Sequence, residues 1–336
     1  MIKIKYSKKK ILVIGGAGYI GRKFCQLFCN KYSIDVIDNF WFSKKKIPNV
    51  NIFKGDIHKF NYDNLIKKNY HSVLILSGLS NDPMANLSPD LNFKNNNYAI
   101  SNLLFSLSKS KIRKIIFGSS CSVYGNTKGK IATEKTDINV EYPYGISKYL
   151  MDMFIEVLNK SNNSPSFYSL RQGTVCGFGP RMRFDLVVNK MIKDAILYKK
   201  IHTIDKNIWR PILDISDACA VYDKIINNKV PKGIYNVYSY NITVDQIAKK
   251  IQKFLYSKGL FVKIVKNSKV KEKRNYKVSR KKIEKYIKFE FKTIDDTITD
   301  IYNNIINLND LESEKYLNIY HFKKKLSFST YSLRII

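Results

Sequence analysis

Closely spaced glycines follow the first apolar run of the sequence. The turn reads Gly15-Gly16-Ala17-Gly18-Tyr19-Ile20-Gly21, after Ile11 to Ile14 and before an amphipathic stretch. Between a strand and a helix, such glycines permit a tight turn and a close approach of backbone to a pyrophosphate, and the helix N-terminus offers free N–H groups. We therefore predict a dinucleotide site whose pyrophosphate side is formed by Gly15, Gly18, Tyr19, Ile20 and Gly21.

Acidic residues after the next two apolar runs define the adenosine end of this predicted site. Asp38 ends the run IDVID, 23 residues after Gly15. A carboxylate there accepts hydrogen bonds from ribose hydroxyls and repels a 2′-phosphate, which favours NAD over NADP as the cofactor. We assign its neighbour Asn39 to the same end. Asp56 and Ile57 follow the third run and are predicted to meet adenine, although Asp56 is also a common turn-forming residue type.

Apolar and amphipathic stretches alternate through the first half of the chain. The predicted strands are residues 10–15, 34–38, 50–55, 72–78, 114–120 and 166–173, and the predicted helices are residues 19–30, 61–69, 92–110 and 144–160. Strands that alternate with helices form βαβ units. The predicted fold class is therefore α/β, a doubly wound parallel sheet of the Rossmann type, with ligands at the carboxyl ends of the strands.

The regular alternation ends near residue 175, which suggests a second unit. We predict an NAD-binding domain over residues 1–175, to which a segment near 208–240 returns. A smaller, interleaved C-terminal α/β substrate domain is predicted over residues 176–310. Residues 311–336 carry charges and aromatics without a clear period, and we predict a loosely attached tail there.

The composition restricts the class of partner. The net charge of +32 is compatible with nucleic-acid binding, but the lysines are spread along the whole chain, so we expect no nucleic-acid partner. Five cysteines and four scattered histidines show no metal-ligand or disulfide spacing, and we predict no metal. The longest early apolar run is too short for a signal peptide or a membrane span, so we expect a cytosolic protein without a membrane partner.

Residues 141–148, EYPYGISK, contain a tyrosine and a lysine at helical spacing. Tyr144 lies four residues before Lys148, which places both side chains on one face of a helix. Tyr142 does not share that face. In a chain with 23 tyrosines, simple packing is an alternative explanation for the pair.

Three motifs together resemble the extended short-chain dehydrogenase/reductase family. They are the glycine spacing GxxGxxG, the run GSSCSVYG at 118–125 and Tyr144-Gly145-Ile146-Ser147-Lys148. The similarity covers about residues 10–310 and is to nucleotide-sugar epimerases of the UDP-galactose 4-epimerase type. It implies NAD as the cofactor, a nucleotide-diphosphate sugar as the substrate, and a homodimer formed through residues 92–110 and 144–160.

The resemblance also implies roles for individual residues. The catalytic set falls on Ser120, Tyr144 and Lys148. A free tyrosine titrates near pH 10, so Tyr144 needs nearby positive charge to act as a base, which Lys148 and the oxidised nicotinamide supply. Lys148 is also implied to hold the nicotinamide ribose, and Ser120 to bond the reacting hydroxyl. Further cofactor contacts are implied for Ser77, Gly78, Leu79 and Asn97.

The residues after Ser120 restrict the reaction. In a continuing strand, Ser120 and Ser122 face the substrate and Cys121 faces away. Family dehydratases carry an Asp-Glu pair after the catalytic residue, and decarboxylases carry Glu at the position of Ser122. Cys121 and Ser122 therefore argue against both reactions. C4 epimerisation is the first expectation, and plain alcohol–ketone interconversion is the second. A catalytically idle Rossmann module that binds RNA or protein is an alternative from another class.

Several polar residues are assigned to the substrate side. Arg210, in WRPILD, and Arg274, in RNY, match family arginines at the substrate diphosphate and nucleotide. An arginine fork bonds a phosphate in paired fashion. Arg181 and Arg183 are candidates for the same role or for surface positions. The family's Phe-Asn pair is replaced by Gly173-Thr174. The full assignment is Ser80, Ser122, Thr174, Arg183, Asn189, Arg210 and Arg274.

Overall fold

The computed structural model describes residues 8–43, 45–59, 67–161, 165–204, 207–266 and 274–332. Its strands are β1 (Lys10–Ile14), β2 (Ser33–Asp38), β3 (Asn51–Lys54), β4 (Ser72–Ile75), β5 (Lys114–Ser120), β6 (Asn126–Ala132), β7 (Ser166–Gln172), β8 (Thr174–Cys176), β9 (Lys200–Thr203), β10 (Trp209–Asp214), β11 (Gly233–Val237), β12 (Tyr240–Thr243), β13 (Lys263–Lys266) and β14 (Asn275–Val278). Its α-helices are α1 (Tyr19–Phe28), α2 (Asp82–Leu87), α3 (Pro89–Phe93), α4 (Ala99–Ser108), α5 (Pro143–Leu158), α6 (Val187–Tyr198), α7 (Ile215–Asn227), α8 (Val244–Tyr256), α9 (Lys281–Glu284), α10 (Ile294–Ile305) and α11 (Asn318–Ser332).

Seven parallel strands form the central sheet in the order β11-β7-β5-β4-β1-β2-β3. Val13 of β1 pairs with Val36 on one side and with Leu74 on the other. The strands are nearly continuous apolar runs because helices cover both faces of the sheet. The strand order reverses between β1 and β4, which is where such sheets bind ligands. The predicted doubly wound α/β fold is confirmed.

The helices predicted over residues 144–160 and 92–110 are both present in the structure. Helix α5 begins at Pro143, whose fixed backbone dihedral suits the first helical position. The helix predicted over 92–110 is a continuous segment formed by α3, a π-helical turn at Lys94–Tyr98 and α4. The helix predicted over 61–69 lies mostly outside the described residues.

Residues after 175 form a second apolar cluster beside the sheet, built on α6, α8 and α10. The segment predicted to return near 208–240 divides between two sheets. Strand β10 lies in a three-stranded sheet in the order β12-β10-β8, whereas β11 joins the central sheet beside β7. The domain bounds given above stay a prediction.

Residues 311–326, which we call the C-terminal strap, are packed against the body of the molecule. Phe322 is 1% exposed and lies in a cluster with Leu79 and Met84. The Tyr316 ring packs edge-on to Phe184 at 4.8 Å. The predicted loose attachment of this segment is therefore wrong, because apolar residues without a regular period dock separately onto two loops.

Within the described ranges, no helix has both the length and the apolar character needed to cross a bilayer. The cytosolic location expected from the sequence stays a prediction.

Candidate active site

A cavity of about 630 Å³ opens at the carboxyl ends of the central strands. Most of the predicted site residues line it. These are Gly15, Gly18, Tyr19, Ile20, Gly21, Asp38, Asn39, Ile57, Ser77, Gly78, Leu79, Ser80, Ser120, Ser122, Tyr144, Lys148, Thr174, Arg183, Arg210 and Arg274. Asp56, Asn97 and Asn189 are not part of its wall. The fold thus brings residues that were assigned from distant segments of the sequence together in a single cavity.

The glycine turn forms one wall of the cavity. Gly15 has a φ of +85°, and a Cβ there would lie 2.5 Å from the backbone nitrogen of Ser77. A Cβ on Gly21 would lie 2.6 Å from the carbonyl oxygen of Gly15. Gly18 precedes α1 without a side-chain cap, and the first turn of the helix carries no acidic residue. The first N–H groups of α1, at Tyr19, Ile20 and Gly21, precede the first helical hydrogen bond, from Arg22 to Gly18, and are placed to hold an anion.

Asp38, the last residue of β2, is hydrogen-bonded to the glycine turn. Its Oδ2 accepts a hydrogen bond from the Ala17 backbone at 2.9 Å, and its Oδ1 accepts one from Phe40 at 2.7 Å. Burial raises the pKa of this carboxyl group above its usual value, and the two backbone donors oppose that shift. Asp56 instead accepts a bond from the His58 backbone at 3.0 Å, the geometry of the turn-forming alternative.

The tyrosine and the lysine of α5 face the cavity beside the end of β5. The Lys148 Nζ donates a hydrogen bond to the carbonyl of Gly118 at 2.8 Å and lies 5.7 Å from the centre of the Tyr144 ring. Burial lowers the pKa of Lys148 to about 8. Burial raises the pKa of Tyr144, nearby Asp82 adds to the rise, and the hydrogen bond with Ser120 opposes it. Added positive charge is what this tyrosine needs to become a base near neutral pH.

The strand geometry predicted at residues 120–122 is wrong. Strand β5 ends at Ser120, and Cys121–Tyr124 form a short 3-10 helix begun by the Ser120 Oγ, which accepts a bond from the Ser122 backbone at 3.1 Å. Side-chain alternation therefore stops at Ser120. Ser122 still lines the cavity, while the Cys121 thiol is fully buried and donates to the carbonyl of Arg171.

The π-helical turn at Lys94–Tyr98 changes which asparagine of the run 95–97 points to the loop after β4. Its extra residue per turn places Asn96 under the loop after β4, where its amide oxygen accepts a bond from the Leu79 backbone at 2.7 Å and its Nδ2 donates to the Leu79 carbonyl at 2.9 Å. Asn97 turns away from the cavity and donates to the carbonyl of Ser147 on α5 at 2.8 Å. Asn96 therefore supports the loop after β4, whereas Asn97, to which a cofactor contact is assigned from the sequence, does not line the cavity.

Arginines from separate segments of the chain line the wall of the cavity opposite the glycine turn. Arg183 forms paired hydrogen bonds with Asp185 at 2.9 and 2.8 Å and also donates to Ser80 at 3.0 Å. Arg274 is ion-paired with Asp82. Asn189 is fully buried and holds this wall together, since its Nδ2 donates to the carbonyl of Arg183 at 2.9 Å.

Some lining residues were absent from the sequence-based assignment. Trp41 and Phe42 follow β2, Arg181 follows β8, and Asn318 and Ile319 belong to the C-terminal strap. The sequence identifies Arg181 only as a candidate for phosphate binding or for a surface position. Asn318 lies 137 residues after Arg181 in a segment without a periodic pattern, so no local signal identifies it.

The cavity has the properties of a dinucleotide site. The hydroxyl oxygens of Ser77 and Ser122 are buried there without a hydrogen-bond partner among the described residues. Buried hydroxyls are normally satisfied. Together with the uncapped N-terminus of α1, these hydroxyls leave donors available for a polar ligand in the cavity.

Comparison with known proteins identifies the family. Residues 11–237 match the NAD dependent epimerase/dehydratase family. The chain belongs to this family. Membership confirms the predicted family resemblance and places the chain among NAD-dependent enzymes.

Curated members of this epimerase/dehydratase family show partial sequence similarity to the chain. An uncharacterized UDP-glucose epimerase, YtcB, of Bacillus subtilis (strain 168) is 30% identical over 206 residues, which are 57% of this chain and 64% of that protein. A UDP-glucose 4-epimerase of Lactobacillus helveticus is 28% identical over 173 residues, 50% of this chain and 52% of that protein. The chain thus spans between about half and two thirds of the length of these relatives.

Solved structures of family members share the fold over most of the chain. A UDP-glucuronic acid 4-epimerase from Bacillus cereus, in complex with UDP-glucuronic acid and NAD, aligns with a TM-score of 0.78 at 21% identity, covering 89% of this chain and 99% of that one. TunA, an NAD-dependent NDP-hexosamine 5,6-dehydratase involved in tunicamycin biosynthesis, aligns with a TM-score of 0.78 at 18% identity, covering 90% and 99%. Both epimerases and dehydratases therefore share this architecture.

Proposed function

We propose that the protein is an NAD-dependent enzyme that oxidises and re-reduces one carbinol of a nucleotide-diphosphate sugar, with epimerisation at C4 as its reaction. The observation that supports this proposal is the convergence of Ser120, Tyr144 and Lys148 on one cavity wall. A hydrogen-bonded serine and tyrosine with a buried ammonium nearby are suited to removing a proton from an alcohol.

In this proposal Tyr144 is the general base and Ser120 bonds the same sugar hydroxyl. The phenolate takes the hydroxyl proton, and NAD, when bound, accepts the hydride from the same carbon. Lys148 lies beside the Tyr144 ring, so its charge lowers the cost of forming the phenolate in a buried site. For epimerisation, the ketone turns within the cavity, hydride from the reduced cofactor would return to the opposite face of the same carbon, and Tyr144 returns the proton to its oxygen.

We propose cofactor contacts for residues at the ends of the first four strands. The glycine turn holds the diphosphate, Asp38 and Asn39 the adenosine ribose, and Ile57 the adenine. Ser77, Gly78 and Leu79 form the wall along the nicotinamide half, with Asn96 as a support that does not touch the cofactor. This order follows the strand order β2-β1-β4 across the point where the sheet reverses.

We propose substrate contacts for the opposite wall of the cavity. In this proposal Arg210 and Arg274, which line the cavity, hold the diphosphate of the nucleotide sugar. The Arg210 guanidinium lies 5.6 Å from the ring of Tyr276. Ser80, Ser122 and Thr174 supply polar contacts near the sugar. Charged, bidentate hydrogen bonds to phosphate oxygens explain why arginine is used here in a lysine-rich chain.

The carboxylates of the cavity favour epimerisation over dehydration. Dehydration needs an acid/base group beyond the tyrosine. Asp82, Asp185 and Asp194 line the cavity, and each is ion-paired, with Arg274, Arg183 and two lysines respectively. Asp38 is bonded to the glycine turn. Within the described part of the chain, the cavity wall next to Ser120 carries no unpaired carboxylate.

We propose that the protein is a homodimer, formed through the helical segment of α3 and α4 together with α5. These helices expose large apolar side chains, and those on α5 follow the spacing of a single helix face. The exposed set is Phe93, Tyr98, Phe105, Ile146, Leu150, Met153 and Val157. Two copies of this face form a four-helix contact.

The test of the proposed reaction is product analysis. Purified protein is incubated with UDP-glucose, UDP-N-acetylglucosamine and UDP-glucuronic acid, and sugar products are identified by proton NMR. A C4 epimer formed without added NAD supports the proposal. A stable 4-keto sugar with stoichiometric NADH indicates the dehydrogenase alternative. Loss of water from the sugar, or no product together with salt-dependent RNA retention, would contradict the proposal.

A further inference from the structure

Arg181 is a buried cation on the cavity wall that lies near Asp185 and Asp38 without an ion pair to either. Its side chain is 6% exposed, and no carboxylate in the described ranges lies within ion-pair distance. Arg183 and Arg274, by contrast, are paired with Asp185 and Asp82. Burial and the neighbouring Arg183 lower the pKa of Arg181 to about 9. A buried guanidinium in this state is stabilised by an anion.

The C-terminal strap fixes the direction of Arg181. The guanidinium donates to the amide oxygen of Asn318, while the Nδ2 of Asn318 donates to the Ser80 Oγ at 3.1 Å. A weaker bond runs from the Arg181 Nε to the Phe42 carbonyl at 3.4 Å, and the guanidinium lies 5.5 Å from the Phe42 ring. Arg181 is therefore held between the loop after β2 and the loop after β4.

The strap bridges these two loops across the end of β1. His321 contacts the ring of Phe42 edge-on at 6.3 Å, and Phe322 packs on Leu79. The glycine turn lies at the end of β1, between the loops, and Asp38, which bonds that turn, is electrostatically coupled to Arg181. A dinucleotide that runs from β2 to β4 crosses this gap with its diphosphate.

We infer that Arg181 binds the diphosphate of NAD from the side opposite the glycine turn, and that Asn318 is a positioning residue that holds its guanidinium there. This inference rests on the proposed placement of the cofactor. Arg181 supplies the counter-charge that backbone N–H groups cannot supply, and the strap closes the wall behind it. Lys148, Arg210 and Arg274 keep the roles proposed for them above.

The inference is tested by ligand binding without turnover. Affinities for NAD, ADP, adenosine and UDP are measured by calorimetry on full-length protein dialysed against charcoal, for Arg181→Gln, Arg181→Lys and the surface control Arg113→Gln. A hydrogen-bonded charge contributes about 1.5–3 kcal/mol, so Arg181→Gln is expected to weaken NAD and ADP about 10- to 150-fold. Adenosine and UDP are expected to change by less than about twofold, which is within the scatter of such measurements.

Other outcomes overturn the inference. Unchanged ADP affinity removes Arg181 from the diphosphate, and weakened UDP with unchanged ADP assigns it to the substrate. Equal losses for ADP and adenosine indicate a damaged pocket. If Arg181→Gln does not fold, Arg181→Lys is used for the same comparison of ADP, adenosine and UDP affinities. Lysine keeps the positive charge but lacks the paired N–H donors of the guanidinium. Because no product is formed, these results are independent of whether the epimerisation proposal holds.

The positioning role of Asn318 has its own readout. Asn318→Ala is expected to weaken ADP binding about three- to tenfold, in the range of a neutral hydrogen bond, with adenosine unchanged. In the Arg181→Gln background the same substitution is expected to have no further effect, since the two residues act as one unit. Additive losses would show that Asn318 acts independently of Arg181.

Discussion

The ammonium of Lys148 lies 5.7 Å from the centre of the Tyr144 ring and is anchored 2.8 Å from the carbonyl of Gly118. One helical turn of α5 separates the two residues, and the anchor lies on β5, which also carries Ser120. The relative position of the Tyr144 ring and the Lys148 ammonium is thus determined by the packing of one helix on one strand. Substitutions at either residue test the chemistry with little change to the fold.

Replacing Tyr144 by Phe is expected to lower turnover by about 10²- to 10⁴-fold, the usual contribution of a positioned acid/base group. The ring is retained, so NAD content is expected to stay unchanged. Turnover is measured by NMR and bound NAD by mass spectrometry of denatured protein. Tyr142→Phe is the matched control, since Tyr142 lies outside α5 as its N-cap residue. Near-normal turnover in Tyr144→Phe would remove it as the base.

Replacing Lys148 by Met is expected to change how stability depends on pH. Burial lowers the pKa of Lys148 from 10.5 to about 8. Between these values the unfolded chain binds the proton and the folded chain does not, so the free energy of unfolding of the native protein rises with pH. Relative to Lys148→Met, this gain amounts to at most about 3 kcal/mol.

The pH effect is measured by urea denaturation of both proteins, without cofactor, at pH 7.5 and 10. The native protein is expected to gain stability relative to Lys148→Met over this interval. A difference that stays constant with pH would show that the Lys148 pKa is not lowered. Lys249→Met is the control, because the Lys249 side chain is 65% exposed and its replacement is expected to leave the pH dependence unchanged.

Asp152→Asn is expected to destabilise the protein by about 3–5 kcal/mol, the usual cost of breaking one side of a buried ion pair. Asp152 is fully buried, bonds the Arg171 Nε at 2.7 Å and accepts a bond from Ser169 at 2.5 Å. Urea denaturation gives the free energy of unfolding. The exposed pair of Lys250 and Asp295 is the control, and Lys250→Gln is expected to cost less than about 1 kcal/mol. If both substitutions lowered the free energy of unfolding by the same amount, burial would not be the reason for the effect of Asp152→Asn.

Met153→Glu is expected to convert the proposed dimer to monomer. Met153 lies on the exposed apolar face of α5, where two copies would bring the introduced carboxylates into an apolar contact. Mass is measured by light scattering after size-exclusion chromatography. Phe261→Glu is the control, because Phe261 is 77% exposed and lies outside these helices. A native protein that is already monomeric would refute the dimer.

The sequence predicts the parts of the site that depend on local geometry. The glycine turn, Asp38 and the Tyr144–Lys148 pair are each determined within one strand–turn–helix unit. Their cavity positions follow from the parallel sheet, which brings all strand ends to one edge. Residues whose place depends on an irregular backbone are harder to predict. The π-helical turn directs Asn97 to α5 and away from the cavity, and the 3-10 helix after β5 sets the geometry of Ser122.

Residues that reach the cavity through long-range contacts are also difficult to predict from the sequence. Asn318 reaches the cavity only because Phe322 and Tyr316 dock on distant loops. Those contacts follow from the shape of the folded sheet and not from any periodic pattern in residues 311–326. Arg181 was a candidate on chemical grounds, but only its neighbours in space distinguish it from Arg183.

The C-terminal strap also has a consequence for the order of events during synthesis. The last strand of the central sheet, β11, ends at Val237, whereas Asn318 is made about 80 residues later. N-terminal units fold first as a chain leaves the ribosome. A nascent chain with a complete sheet therefore still has an open groove beside its glycine turn, and cofactor loading at full affinity becomes a late step, coupled to completion of the polypeptide beyond residue 318.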